Sequence, residues 1–124
     1  MKKFKVWDAI NKEWFDETMA LLSQDGKLHF WNDYKKTLEP MEEKTYIPVF
    51  SIGLKDKNGK EIFEGDLLEE EKGYYFLVEY GSSIYECGFR LKAISKAIQY
   101  PTWNRGSKMS IIGNIYENPE LIKL

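Results

Sequence analysis

From Gly53 to Asp66 the chain reads Gly-Leu-Lys-Asp-Lys-Asn-Gly-Lys-Glu-Ile-Phe-Glu-Gly-Asp, placing an Asn-Gly pair and a Gly-Asp pair within fourteen positions. Asn58 and Gly59 both tolerate φ > 0, as a type I′ hairpin turn demands, and apolar residues flank them at Leu54, Ile62 and Phe63. The segment therefore predicts antiparallel strands closed at Asn58-Gly59, with a second turn at Gly65-Asp66. It specifies architecture and carries no chemistry.

Similar punctuation recurs along the chain. Phe4 to Trp7 and Glu13 to Phe15 flank Asn11-Lys12 and predict a first strand pair. Met19 to Leu22 and Leu28 to Trp31 flank Asp25-Gly26, the other strong two-residue hairpin signal. A helical turn over 17–22 is the competing reading, disfavoured because so short a helix is marginal without packing. Asn32 to Lys44 is polar, holds Pro40, Glu39, Glu42 and Glu43, and reads as the longest and most mobile loop. Tyr46 to Ile52 returns to strand composition, with Pro48 indicating an edge because proline lacks the ladder donor. Leu67-Leu68, Tyr74 to Tyr80 and Ile84 to Phe89 continue as a meander, punctuated at Lys72-Gly73 and Gly81-Ser82-Ser83. Leu91, Ile94, Ala97 and Ile98 instead fall at helical spacing ahead of Pro101, and predict one short helix over 91–98. Met109 to Tyr116 reads as a last strand interrupted by Gly113, with a turn at Asn118-Pro119 and a helical cap over 120–122. The expected fold class is mainly β, with at most one or two short helices.

A chain of 124 residues fits one domain, 1–124, able to bury a core without metals or disulfides. Its 15% aromatic content favours pleated surfaces, where flat rings pack well. Cys87 is the only cysteine, so an intrachain disulfide is excluded and a cytoplasmic location is expected. Met1-Lys2-Lys3 opens as a signal peptide would, but Lys5 and Asp8 interrupt the apolar stretch that export requires. The longest apolar run, Tyr74 to Val78, is far short of the roughly 20 residues that cross a bilayer, so no membrane association is expected.

Candidate chemistries fail on spacing. Gly53 to Lys60 is not a phosphate loop, since five residues separate Gly53 from Gly59 and Glu61 stands where Ser or Thr would hold magnesium. Asp56-Lys57-Asn58 begins like a calcium loop but continues with Lys60, Glu61 and Leu67 at the fifth, sixth and twelfth positions. Glu64, Asp66, Glu69, Glu70 and Glu71 offer carboxylates, yet a charge run at a strand end is ordinarily a solvated face that blunts an edge. His29 is the only histidine, which denies one chain a histidine triad or multi-histidine metal site. It is expected to pack beside Phe30 and Trp31. Cys87 follows Glu86, a neighbour that raises a thiol pKa and suits a structural role. No catalytic residue, metal ligand or cofactor site emerges, and the chain is expected not to be an enzyme.

Charge is segregated more sharply than any motif. Glu61 to Glu71 holds six acids and no base, whereas Gly88 to Ser110 holds Arg90, Lys92, Lys96, Arg105 and Lys108 and no acid. Phe89, Tyr100 and Trp103 intersperse the basic segment, and aromatic faces beside bases are what a single-stranded nucleic-acid groove uses. The net charge of -2 weighs against that reading and towards pairing of the two segments within the fold or between subunits, or towards their being merely solvated.

The block from Gly53 to Leu68, Phe4-Lys5-Val6-Trp7-Asp8 near the start and Ile112-Gly113-Asn114-Ile115-Tyr116-Glu117-Asn118-Pro119-Glu120-Leu121 near the end together resemble the YopX family of phage and prophage proteins. Phe63 stands where that family often has tyrosine, and Ser51-Ile52 where it often has Tyr-Thr. The resemblance implies a mostly β fold around a small barrel-like antiparallel core and a gene carried by a phage or integrated element. It implies no catalytic residue, cofactor or substrate. Its recurrent motifs fit structural roles: Asn58-Gly59 as a hairpin turn, Gly65-Asp66 as a diverging turn, Gly113 as a bulge or close approach. The expected function is that of a non-enzymatic accessory protein acting on an unknown protein partner or by homo-oligomerisation. The alternative is single-stranded nucleic-acid binding through Arg90, Lys92, Lys96, Trp103, Arg105 and Lys108.

Overall fold

The computed structural model describes residues 3–16, 19–70, 73–81, 88–94 and 108–122. It is mainly β, built from antiparallel sheets, one of them curled into a half-barrel. The chain divides into two compact units, Met1–Phe50 and Ser51–Leu124.

In the first unit, β1 (Phe4–Asp8) pairs with β2 (Glu13–Phe15) on one side and with residues 46–50 of β6 (Tyr46–Lys55) on the other. Alternation buries Val6 in a cluster with Ala20, Leu28 and Met41, with Phe15, Phe30 and Tyr46 packed against it. Trp7 stacks edge-on against its cross-strand partner Trp14 at 4.9 Å, and the Lys5 ammonium lies 4.0 Å above the Trp14 ring. Pro48 pairs with Val6 on one side, and β6 meets its other neighbour, β7 (Glu61–Phe63), only from Ser51 onward. A proline is tolerated there because the ladder is one-sided. A second sheet orders β3 (Ala20–Leu22), β4 (Leu28–Asn32) and β5 (Thr37–Pro40). The expected long loop over 32–44 is thus corrected: Thr37–Pro40 returns along β4 as a hairpin. The polarity of Asp33 to Lys36 marks its tip rather than a structureless stretch.

In the second unit, β8 (Asp66–Glu69) lies between β9 (Tyr75–Gly81) and β11 (Ser110–Asn114), with β10 (Gly88–Ala93) beyond β9. Leu68, Phe76, Val78, Leu91, Ile62 and Met109 form its core. Leu91 to Ala93 belong to β10, so the helix expected over 91–98 is corrected over those residues, and 95–98 lie outside the described residues. Pairing of Leu91 with Val78 overrides a local spacing that fits either period. A bulge between Ile111 and Gly113 interrupts β11 where glycine was read as a break, and a 3-10 helix, Pro119–Ile122, caps the sequence.

The hairpin turns follow two designs, and neither is the type I′ turn expected from the sequence. Gly59 has φ +81° but Asn58 does not take positive φ, so the type I′ assignment is corrected. The Gly59 N–H donates to the Asp56 carbonyl at 3.1 Å and the Asp56 N–H to the Lys60 carbonyl at 2.8 Å. That is a three-residue loop, a type I turn closed by glycine in αL. Asp at the first turn position favours it, since the Asp56 carboxylate accepts the Asn58 and Lys60 N–H groups. Asp25-Gly26 is likewise a three-residue loop, Gly26 donating to Ser23 and Ser23 to Lys27. Two four-residue loops use a capping Asx and an αL lysine. Asp8 Oδ1 accepts the Ile10 and Asn11 N–H groups with Lys12 at φ 56°, and Asn32 Oδ1 accepts those of Tyr34 and Lys35 with Lys36 at φ 55°.

Candidate interaction face

The register of the first unit's three-stranded sheet decides which side chains share a face. Ala20 pairs with Phe30, and Leu22 with Leu28, on the side packed into the core. The opposite face therefore carries Leu21 beside His29, His29 beside Pro40, and Trp31 beside Leu38. Leu21 is 53% exposed, Trp31 41% and Leu38 49%, so three large apolar groups stand together on one solvated face. No carboxylate or ammonium interrupts those pairs. His29 shares this face with Trp31 but not with Phe30, which points to the core; its Nδ1 lies 3.2 Å from the Lys27 carbonyl oxygen.

The β4–β5 tip extends the face. The Asn32 side chain fixes the backbone at Tyr34 and Lys35, and Tyr34 is wholly exposed. Lys36 pairs with Asp33 at 2.9 Å and Lys35 with Glu39 at 3.6 Å, so charges at the tip are internally matched. The result is an apolar face whose β4–β5 tip carries matched charges and an exposed aromatic ring on a backbone held by Asn32. Such groups lose little conformational entropy on contact and are favoured as anchors at protein interfaces.

Polar side chains in the second unit serve the fold. Asp66 is buried and accepts the Phe63 N–H at 2.8 Å, which corrects its reading as part of a solvated charge run. Gly65 has φ +84° at the diverging turn, and an added Cβ would lie 2.9 Å from the Tyr116 ring. Burial, with the negative charges of Glu64 and Asp66, pushes the Tyr116 hydroxyl up to about 12. A phenol held protonated in this way supplies no base at neutral pH. Among the described residues no group of three or more His, Cys, Asp or Glu is placed to hold a metal ion.

Of the residues proposed for nucleic-acid binding, Lys92 on β10 and Lys108 ahead of β11 are exposed. The backbone of Arg90 pairs with Glu79, and its side chain, with Lys96, Trp103 and Arg105, lies outside the described residues, as does Cys87. Asn58, Gly59 and Gly65 occupy turns, and Asp66 is the first residue of β8 rather than a turn residue. The face centred on Trp31 was missed in the sequence, where Leu28 to Trp31 was read as one strand without a side.

Among the described residues no helix is long and apolar enough to cross a membrane. Comparison with curated proteins finds no significant match. Among solved structures, the crystal structure of protein EF1440 from Enterococcus faecalis is similar, with 26% sequence identity, a TM-score of 0.60 and 99% of each chain covered. The family model described as YopX protein matches residues 3–123, and the chain belongs to the YopX family.

Proposed function

We propose that this chain is a phage or prophage accessory protein that works without catalysis, by binding protein through the outer face of β3–β4–β5. The observation carrying the reading is the juxtaposition of Leu21, Trp31 and Leu38 on one sheet face, with Tyr34 exposed at the adjoining hairpin tip. Covering a large apolar side chain is worth about 1.5 to 3 kcal/mol when complete, so half-exposed groups retain roughly half of that for a partner. The phage setting is what the resemblance to the YopX family implies.

A pull-down from prophage-induced host cells, compared with uninduced cells and paired with sedimentation of the purified protein, tests the reading. Trp31→Asp and Leu38→Asp are expected to abolish the captured partner or the self-association, while Ile10→Asp, at an exposed position in the β1–β2 loop, retains it. Partner capture or self-association unchanged by Trp31→Asp with Leu38→Asp refutes the assignment of the face.

A further inference from the structure

The second unit carries a cleft of about 390 Å³ on the side of its sheet away from the core. Leu67 forms its floor and is fully buried, although its neighbour Leu68 points the opposite way into the core. Glu69 and Tyr75 are cross-strand partners and line the cleft together with Ile94, whose N–H donates to the Tyr75 carbonyl. Ile112, the extra residue of the β11 bulge, and Leu121 of the 3-10 helix complete the lining. The volume lies within the roughly 300 to 1,000 Å³ usual for ligand pockets.

The cleft owes its shape to Gly113. A Cβ there would stand 2.5 Å from the Asn118 side-chain oxygen and 3.3 Å from Leu121 Cδ1, so only glycine lets the 3-10 helix approach this closely. The Asn118 carbonyl accepts the Leu121 N–H, and its side-chain oxygen accepts the Asn114 N–H, fixing the helix to the end of β11. Leu121 and Ile112 remain exposed, like Tyr75, despite converging on one hollow.

Among the described residues the lining contains one acidic side chain, Glu69, and no basic one. Among the described residues, charges on adjoining elements include Glu70 just after β8, Glu79 on β9, Glu117 and Glu120 around the 3-10 helix, Lys108 ahead of β11, and Lys92 on the same sheet face, which pairs with Leu77 one strand beyond and does not line the cleft. We propose that this cleft binds a protein segment presenting one or two large apolar side chains next to a Lys or Arg. The apolar groups would cover Tyr75, Ile112 and Leu121 above the Leu67 floor, and the cation would meet Glu69. A segment with an acid in the same position would set carboxylate against carboxylate.

The test uses the full chain, isotope-labelled, titrated with acetylated and amidated Leu-Trp-Leu-Arg, Leu-Trp-Leu-Gln and Leu-Trp-Leu-Glu. The arginine peptide is expected to shift the Leu67, Glu69, Ile112 and Leu121 amides and to bind about threefold to fivefold more tightly than the glutamate peptide, the range of an exposed ion pair. Glu69→Gln should erase that preference while leaving the glutamine peptide's affinity unchanged, and Leu121→Asp should remove binding of all three. Absence of shifts at the cleft, or equal affinity for the arginine and glutamate peptides in the unmutated protein, overturns the proposal. So does a preference for the glutamate peptide that disappears in Lys92→Ala. The outcome is independent of the first unit's face, which none of these variants touches.

Discussion

Asp56 is a buried carboxylate whose loss is expected to lower stability markedly. One carboxylate oxygen accepts the N–H groups of Asn58 at 2.9 Å and Lys60 at 2.8 Å, and the other accepts that of Ile111 at 3.0 Å, 55 residues away. The Lys57 N–H donates to the Met109 carbonyl alongside, so the turn that closes β6 onto β7 is also tied to the start of β11. Burial, the largest single influence on this carboxyl, pushes it up, but the three N–H groups and the Lys60 charge outweigh burial and hold it below the ordinary value. Asp56→Asn keeps one acceptor oxygen for the turn and turns an amide N–H towards the Ile111 N–H, which costs about 2 kcal/mol. Asp56→Ala forfeits all three bonds and costs about 3 to 4 kcal/mol, less than three full penalties because Asn58 and Lys60 are exposed and regain water. Heat or urea unfolding followed by circular dichroism reads this as a fall of about 10 °C in Tm for Asp56→Asn. Because the folded carboxyl lies below its unfolded value of about 3.9, its contribution is complete above that pH and disappears as pH falls through the folded pKa. The gap between Asp56→Asn and the parent protein, full at pH 7, should therefore close below about pH 4. Equal stability at pH 7, or a gap as large at pH 3 as at pH 7, refutes the argument.

Gly59→Val places a β-branched residue at φ +81° with open space around the new Cβ, so backbone strain alone should cost about 1 to 2 kcal/mol, while Lys57→Ala should be nearly silent in the same melts. Gly65→Ala adds a clash with Tyr116 and Ile115 to similar strain and should cost more than Gly59→Ala; the reverse order would refute the close approach. Chelator treatment should leave Tm unchanged, and a drop of several degrees would reveal a bound cation. A short single-stranded oligonucleotide is expected not to bind at physiological ionic strength. Salt-sensitive binding abolished by Arg105→Glu with Lys108→Glu would make the nucleic-acid reading primary.

Most strands were legible because turn residues punctuate apolar runs at short intervals. Phe4 to Trp7 with Glu13 to Phe15, and Met19 to Leu22 with Leu28 to Trp31, pair as their composition indicates. The turn at Asn58-Gly59 departs from type I′ for a physical reason: the Asp56 carboxylate selects a type I turn and leaves αL to glycine alone. The same side-chain logic was available at Asn32, four residues ahead of Lys36, and would have divided the supposed long loop into a hairpin. Leu91 to Ala93 was harder, because i, i+3 spacing in a short apolar run does not exclude a strand, and long-range pairing with β9 decided it.

The interaction face was illegible for a different reason. Leu28-His29-Phe30-Trp31 contains no polar alternation strong enough to say which pair of residues faces the core, and a shift of one residue would exchange them. Pairing with Ala20 and Glu39 at Phe30 sets the parity, after which Leu21, Leu38 and Pro40 fall on the side of Trp31 and His29. Apolar residues on both faces of a strand ordinarily signal burial on both faces. Here the core covers one face, while Leu21, Trp31 and Leu38 stay about half exposed on the other. Polar replacements at those positions should therefore leave the fold intact while changing what the protein binds, whereas the same replacements at Leu28 and Phe30, one residue away on β4, should unfold the unit.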